Sequence, residues 1–244
     1  MDDRTAEVLV EYGINPSTVP QGTVKLLTAN EYKNLGKDAL LWAQHPQNDP
    51  AMAYEIETEH QRAAGLVLRN LHPRSQSNVR PHLTLFQHDV PFWHNWTPAL
   101  PLMWETGVVA LVEGPKDARV MYSEGIRNVL AYLGPVPSIE HLKVLRRYVH
   151  TIVWFPDNEV LDPETASRRD FVLRKAQEFG LSVRHPKLPA KDPGVLVLQR
   201  PRYFDEIRKT LQEIIALAGG GYKEKSHVLD EQVQTQNSPT PGPG

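Results

Sequence analysis

The chain has 244 residues, 40% of them hydrophobic and 23% charged, with a formal net charge of -2, which suits an ordinary globular protein of one large or two small domains. It contains no cysteine, which excludes disulfides, thiolate zinc sites and cysteine nucleophiles, so any metal must be held by oxygen or imidazole. The near-neutral charge is not the basic balance of a non-specific nucleic-acid coat. No apolar run reaches the membrane-spanning length of about eighteen residues, and Met1-Asp2-Asp3-Arg4 is unlike a signal peptide, so a cytoplasmic protein is expected.

From Ala6 to Gln47 the signals are mixed. Asn15-Pro16-Ser17 reads as a turn or cap, and Ala29-Asn30-Glu31-Tyr32 opens a short helix. Met52 to Leu71 predicts a hairpin: Ala53 to Glu57 alternates, a polar turn falls at Glu59 to Arg62, and Gly65 to Arg69 resumes the strand. Pro73 to Pro81 reads as an exposed loop and His82 to Phe86 as another strand. From His60 to His88 there is no Asp or Glu, while Arg62, Arg69, Arg74 and Arg80 lie there with four histidines. Such a stretch is either a solvated hairpin surface or a phosphate-binding groove. Phe92, Trp93, Trp96 and Trp104 form an aromatic cluster that either stacks bases or fills a core, and the usual burial of such side chains favours the core.

At Gly107 the pattern changes to alternating strands and helices, the signature of a parallel α/β sheet. Val108 to Val112 is a continuous apolar run, as a strand buried on both faces requires. A helix over Lys116 to Glu124 is stopped by Gly125, and Asn128 to Leu133 is the second strand. Ser138 caps a helix carrying Ile139, Leu142, Leu145 and Val149. Thr151 to Phe155 is the third strand, running directly into Pro156-Asp157-Asn158-Glu159. A helix from Glu164 to Phe179, a short strand at Leu181 to Arg184 and a closing amphipathic helix from Tyr203 to Leu217 complete the pattern. The sequence after Gly219 is glycine-rich, polar and proline-rich, and is expected to be disordered.

Acids placed directly after buried parallel strands project from the carboxyl edge of the sheet, where ligands of open α/β sheets bind. Glu113 and Asp157 have that position. Asp157 and Glu159 can converge on one hard cation and Glu113 can join them, an oxygen-only set suited to Mg2+ or Mn2+ and hence to phosphate chemistry. For any single acid, capping the next helix is the simpler role. Asp117 reads as a first-turn helix acid and Asp192 as a turn acid.

Several of these segments resemble a known family. Leu111-Val112-Glu113-Gly114-Pro115-Lys116-Asp117-Ala118 is similar to the strand followed by Glu-Gly-x-x-Asp-Ala that opens TOPRIM domains, found in DnaG-type primases, topoisomerases and small nucleases. Asn128 to Gly134 resembles the primase strand that runs into a glycine turn. Phe155-Pro156-Asp157-Asn158-Glu159 resembles the strand followed by Asp-x-Asp, and Leu188-Pro189-Ala190-Lys191-Asp192-Pro193 the primase Leu-Pro-x-x-Lys-Asp-Pro element. The ordered set spans residues 107 to 197, and its last member favours the primase branch. Tyr54 to Leu71 is similar in layout to the primase hairpin ending Gly-x-x-x-x-Arg.

The resemblance implies an α/β fold: a TOPRIM domain over residues 107–200 with a four-stranded, mainly parallel sheet flanked by helices. It would follow a smaller α+β domain with an antiparallel hairpin over 1–106, with a C-terminal helix at 201–218 and a tail at 219–244. It further implies that Glu113, Asp157 and Glu159 are the catalytic, metal-binding acids. Glu159 stands where the family has aspartate, and Val160 to Ala166 looks like an insertion, so Asp162 is an alternative ligand. Arg69, Arg74, Arg80, Lys116, Lys191 and Asp192 would line the nucleic-acid and nucleotide wall.

The implied activity is a nucleotidyltransferase of primase type, a DNA-directed RNA polymerase that makes short RNA primers on single-stranded DNA from nucleoside triphosphates. Neither a zinc-binding module nor a helicase part is expected in this length. Separate helicase and zinc-binding template-recognition proteins are therefore the expected partners, as in a phage replication system working in the host cytoplasm. The alternatives are a stand-alone TOPRIM nuclease and a non-catalytic nucleic-acid-binding subunit.

Overall fold

A computed structural model describes residues 1–20, 23–71, 82–86, 91–158, 162–200 and 202–218. The expected loop at 73–81, with Arg74 and Arg80, lies outside them, as do Glu159 and the tail from 219 on. Among the described residues no helix is long and apolar enough to cross a membrane.

The chain opens with α1 (Asp3–Glu11), whose first turn is capped by the Asp2 carboxylate accepting from the Thr5 amide. A single 3-10 turn at Pro16–Thr18 follows, its Asn15 side chain accepting from Ser17 as the Asn-Pro-Ser signal predicts. Then come β1 (Val24–Leu27), α2 (Ala29–Tyr32) and α3 (Lys37–Ala43). The expected hairpin is present as β2 (Ala51–Thr58) and β3 (Ala63–Asn70), followed by β4 (His82–Phe86) and β5 (Phe92–Trp93). These strands form one antiparallel sheet ordered β1-β2-β3-β4, with β5 pairing the far end of β2.

α4 (Trp96–Thr106) leads into the second sheet. Its members are β6 (Val108–Val112), β7 (Val129–Ala131), β8 (Thr151–Phe155) and β9 (Ser182–Arg184), ordered β7-β6-β8-β9 and parallel throughout. The connections are α5 (Pro115–Ser123), α6 (Ile139–Leu145) and α7 (Pro163–Glu178). α8 (Pro193–Gln199) and α9 (Tyr203–Ala218) close the chain. Every residue of β6 and β8 is buried, as a parallel strand covered on both faces must be. Pro115 at the start of α5 forgoes an amide that would have had no partner there, and α5 ends before Gly125 at φ +89°, a left-handed position where glycine avoids the Cβ clash.

The two faces of this sheet enter different cores. Val108, Ala110, Val112, Val129, Ala131, Val153 and Phe155 pack with α5, α8 and α9 and also with Met52, Tyr54 and Ile56 of β2. Val109, Leu111, Leu130, Tyr132, Ile152 and Trp154 pack with α4, α6 and α7. Trp93 and Trp96 are fully buried in that second core, stacked at 5.7 Å, so their use is packing, whereas Trp104 is exposed.

The sheets are joined by backbone and by a buried polar pair. His94, just after β5, bridges Ala131 of β7. Arg119 of α5, 1% exposed, donates from Nε to His94 Nε2 at 2.8 Å, which leaves Nδ1 protonated to donate to the Glu55 carbonyl at 2.6 Å. Burial and the neighbouring Arg119 charge push the His94 pKa well down, so the imidazole is the neutral acceptor that this geometry needs.

Candidate active site

The acids of the site follow from register. β6 and β8 are adjacent and parallel, with Val112 opposite Phe155, so Glu113 and Asp157 leave the same carboxyl edge. The Glu113 carbonyl accepts from the Leu133 amide at 3.0 Å, which ties the edge to the turn after β7. Glu113 and Asp157 are both half-buried, and both charges act on the Tyr132 hydroxyl, whose pKa burial already raises. That hydroxyl accepts from the Trp154 indole at 3.0 Å.

On the α5 side the focus is Asp117. It is 7% exposed, and its Oδ1 accepts from the Gly194 amide of α8 at 3.0 Å. Its pKa is pushed up to about 7 by burial first, then by the charge of Asp192, with Asp157 adding to it; Lys116 and Arg69 oppose the rise. One buried carboxyl therefore senses the acid edge, the loop before α8 and a cation from the antiparallel sheet together. Burial likewise raises the Tyr12 pKa, against the charge of Arg69.

Gly194 lets these groups meet. A Cβ there would lie 2.2 Å from Lys116 Nζ and 2.9 Å from Asp117 Oδ1, so the lysine stem crosses the first turn of α8 through a notch only glycine leaves open. The Lys116 ammonium also stands 6.0 Å from the centre of the Tyr12 ring.

The structure thus brings together Glu113, Asp157, Asp192, Lys116 and Arg69. Lys191 joins through its backbone, its carbonyl accepting from the Asn158 amide at 2.7 Å. Asp192 itself caps α8, accepting from the Val195 amide at 2.7 Å. Asp162 is directed elsewhere: both its oxygens accept from Thr165, at 2.9 Å from the amide and 2.7 Å from the hydroxyl, capping α7. Hydrogen bonding to that amide and then that hydroxyl holds the Asp162 pKa down. The second acid of the Asp-x-Glu pair, Glu159, lies outside the described residues, and among those described no three His, Asp or Glu side chains close into a metal cluster. Sequence reasoning left Asp117 as a helix acid and passed over Tyr132 and Gly194. Its one clue was Asp117 lying four residues after Glu113, which puts it on the first turn of the helix leaving the edge.

This arrangement, an antiparallel sheet set against a parallel sheet flanked by helices, resembles the fold of solved DnaG-type primase catalytic cores. No family sequence model matches the chain, and no curated protein matches it by sequence. Among solved structures, the zinc-binding and RNA polymerase domains of Aquifex aeolicus primase align with a TM-score of 0.65 at 18% identity, covering 87% of this chain and 56% of that one. A DnaG primase catalytic domain bound to single-stranded DNA aligns with a TM-score of 0.63 at 18% identity, covering 86% of this chain and 71% of that one. A DNA primase domain from Pseudomonas aeruginosa aligns at 0.59 and 20% identity, covering 81% and 68%. The match therefore spans little more than half of the solved Aquifex chain.

Proposed function

We propose that this chain is a primase-type nucleotidyltransferase core that joins ribonucleotides on a single-stranded DNA template. The observation that carries this reading is the meeting at Asp117: Arg69 on the antiparallel sheet and Asp157 on the parallel edge act on one buried carboxyl. A cation of the antiparallel sheet thus comes near the acids of the parallel edge, and a phosphate backbone and a metal-bound polyphosphate need both kinds of group. The likeness to a primase catalytic domain bound to single-stranded DNA supports the same substrate class.

Glu113 and Asp157, with Glu159, are the residues proposed to hold Mg2+ or Mn2+. The donor set fits a hard cation, because the available ligands are carboxylate oxygens. The electrostatics fit it as well, since Asp192 and Asp157 both disfavour ionisation of Asp117. Such an ion, when bound, neutralises charge developing on the transferred phosphoryl group. The chain's own groups supply the rest. Arg69, Arg74, Arg80, Lys116 and Lys191 hold phosphates, and Asp192 fixes the start of α8 so that Gly194 can seat Lys116. The N-terminal unit, 1–106, is proposed to present the template and the TOPRIM unit, 107–200, the nucleotide. Separate zinc-binding and helicase proteins would supply template recognition and movement, as in a phage replication system.

The test is to incubate the protein with Mg2+ or Mn2+, single-stranded DNA and labelled ribonucleotides beside Glu113→Gln and Asp157→Asn. Primers made by the wild type and lost in both variants support the proposal. Template degradation instead of synthesis assigns the site to nuclease chemistry, and DNA binding without turnover assigns the chain to an assembly role.

A further inference from the structure

On the face of the parallel sheet away from α5 and α8, an arginine reaches the same edge. Arg169, in the second turn of α7, lays its guanidinium over the Trp154 indole at 5.4 Å. Trp154 is 2% exposed and is held by its bond to Tyr132, so the surface under the guanidinium is rigid. The Arg169 Nε is buried and makes no hydrogen bond. Its terminal nitrogens are not among the buried unpartnered atoms, and the side chain as a whole is half-buried. No ion pair to Arg169 occurs among the described residues.

A cation stacked on an indole keeps its planar fork pre-organised, while a desolvated donor without a partner is costly to maintain. Arg169 lies at the acid edge because its charge acts on the Tyr132 hydroxyl together with those of Glu113 and Asp157. The His185 ring also stands 5.0 Å from Trp154. A half-buried guanidinium fixed on an indole beside that edge is poised for an oxyanion brought to it.

We propose that Arg169 is a phosphate-binding residue of this edge, gripping phosphoryl oxygens from the α7 face while Arg69 and Lys116 approach from the α5 face. The inference rests on the reading of Glu113 and Asp157 as the phosphate-handling edge. The phosphate comes either from the polyphosphate of a nucleotide or from a nucleic-acid backbone, and the experiment separates the two.

The full-length chain is compared with Arg169→Gln and Glu113→Gln for binding of pyrophosphate with Mg2+, by calorimetry, and of a single-stranded oligonucleotide, by anisotropy across a salt series. Arg169→Gln is expected to weaken one probe about tenfold or more, since a charge-assisted bond is lost. Loss toward pyrophosphate names the nucleotide as the source. Loss toward the oligonucleotide, with a salt slope reduced by about one, names the backbone. Unchanged affinity for both probes overturns the inference, even if the melting temperature falls. If Glu113→Gln weakens pyrophosphate binding while Arg169→Gln weakens neither probe, this inference fails and the proposed function stands; if Glu113→Gln has no effect either, that function loses its support too. Should Arg169→Gln not fold, Arg169→Lys decides, because it keeps the stem over the indole but lacks the fork. A loss of about threefold toward either probe is then expected, and wild-type affinity for both overturns the proposal.

Discussion

The parallel and antiparallel sheets place their polar groups differently. In the parallel sheet β6 and β8 are buried along their whole length, so charged side chains are admitted only where the strands stop, at Glu113 and Asp157. The antiparallel sheet buries most of β2 but leaves Gly65, Leu66 and Arg69 of β3 half-covered, and Arg69 sits within the strand itself. The first sheet is therefore a scaffold with its chemistry at one rim, and the second offers its face. A variant should report which kind of position it occupies.

The sharpest break is expected at the rim. Asp157→Asn and Glu113→Gln should each lower primer synthesis by about 100-fold or more while moving the denaturation midpoint little, as a urea titration beside the activity assay will show. Within the strand the outcome inverts. Leu111→Ala, in the core between β6 and α7, should cost about 2–5 kcal/mol. Leu83→Ala on half-covered β4 should cost only about 1 kcal/mol, both measured by chemical denaturation.

Asp117 sharpens the comparison through pH. Its folded pKa, about 7, lies above the ordinary carboxyl value of 3.8, so between those values the folded state holds a proton that the unfolded state has released. Wild-type stability should fall as pH rises through that window and level off above about 7. Asp117→Asn keeps an oxygen for the Gly194 amide and should abolish that slope, making the variant relatively more stable at pH 8 than at pH 4.

Smaller effects are expected at solvent. Arg69→Ala should weaken oligonucleotide binding with a salt slope reduced by about one. Asp162→Ala should lower the denaturation midpoint slightly as a lost helix cap and leave primer synthesis intact; a collapse of synthesis matching that of Asp157→Asn would instead make it a ligand.

The scaffold was far easier to read from sequence than the face. Val108–Val112 and Thr151–Phe155 are unbroken apolar runs bounded by polar residues, a local signal that survives any packing. α4 gave no such signal, because Pro98 and Pro101 read as breakers although α4 carries Pro101 in its interior. α8 hid behind Pro193-Gly194, a turn pair that serves here as a helix start. The position of the rim acids was legible because the apolar runs mark where the strands end. The shifted pKa of Asp117 and the stacking of Arg169 were not, since both arise from contacts that the fold alone creates. For Asp162, the bonds to Thr165 are those of a helix cap, the simpler role open to any acid before a helix.

The notch at Gly194 has a consequence for how this protein tolerates change. A side chain there first meets the flexible tip of Lys116, which can swing aside, and then Asp117 Oδ1 at 2.9 Å, which the Gly194 amide holds in place. In a library randomising positions 194 and 117 together, residue 194 should therefore stay glycine mainly among clones that keep Asp117.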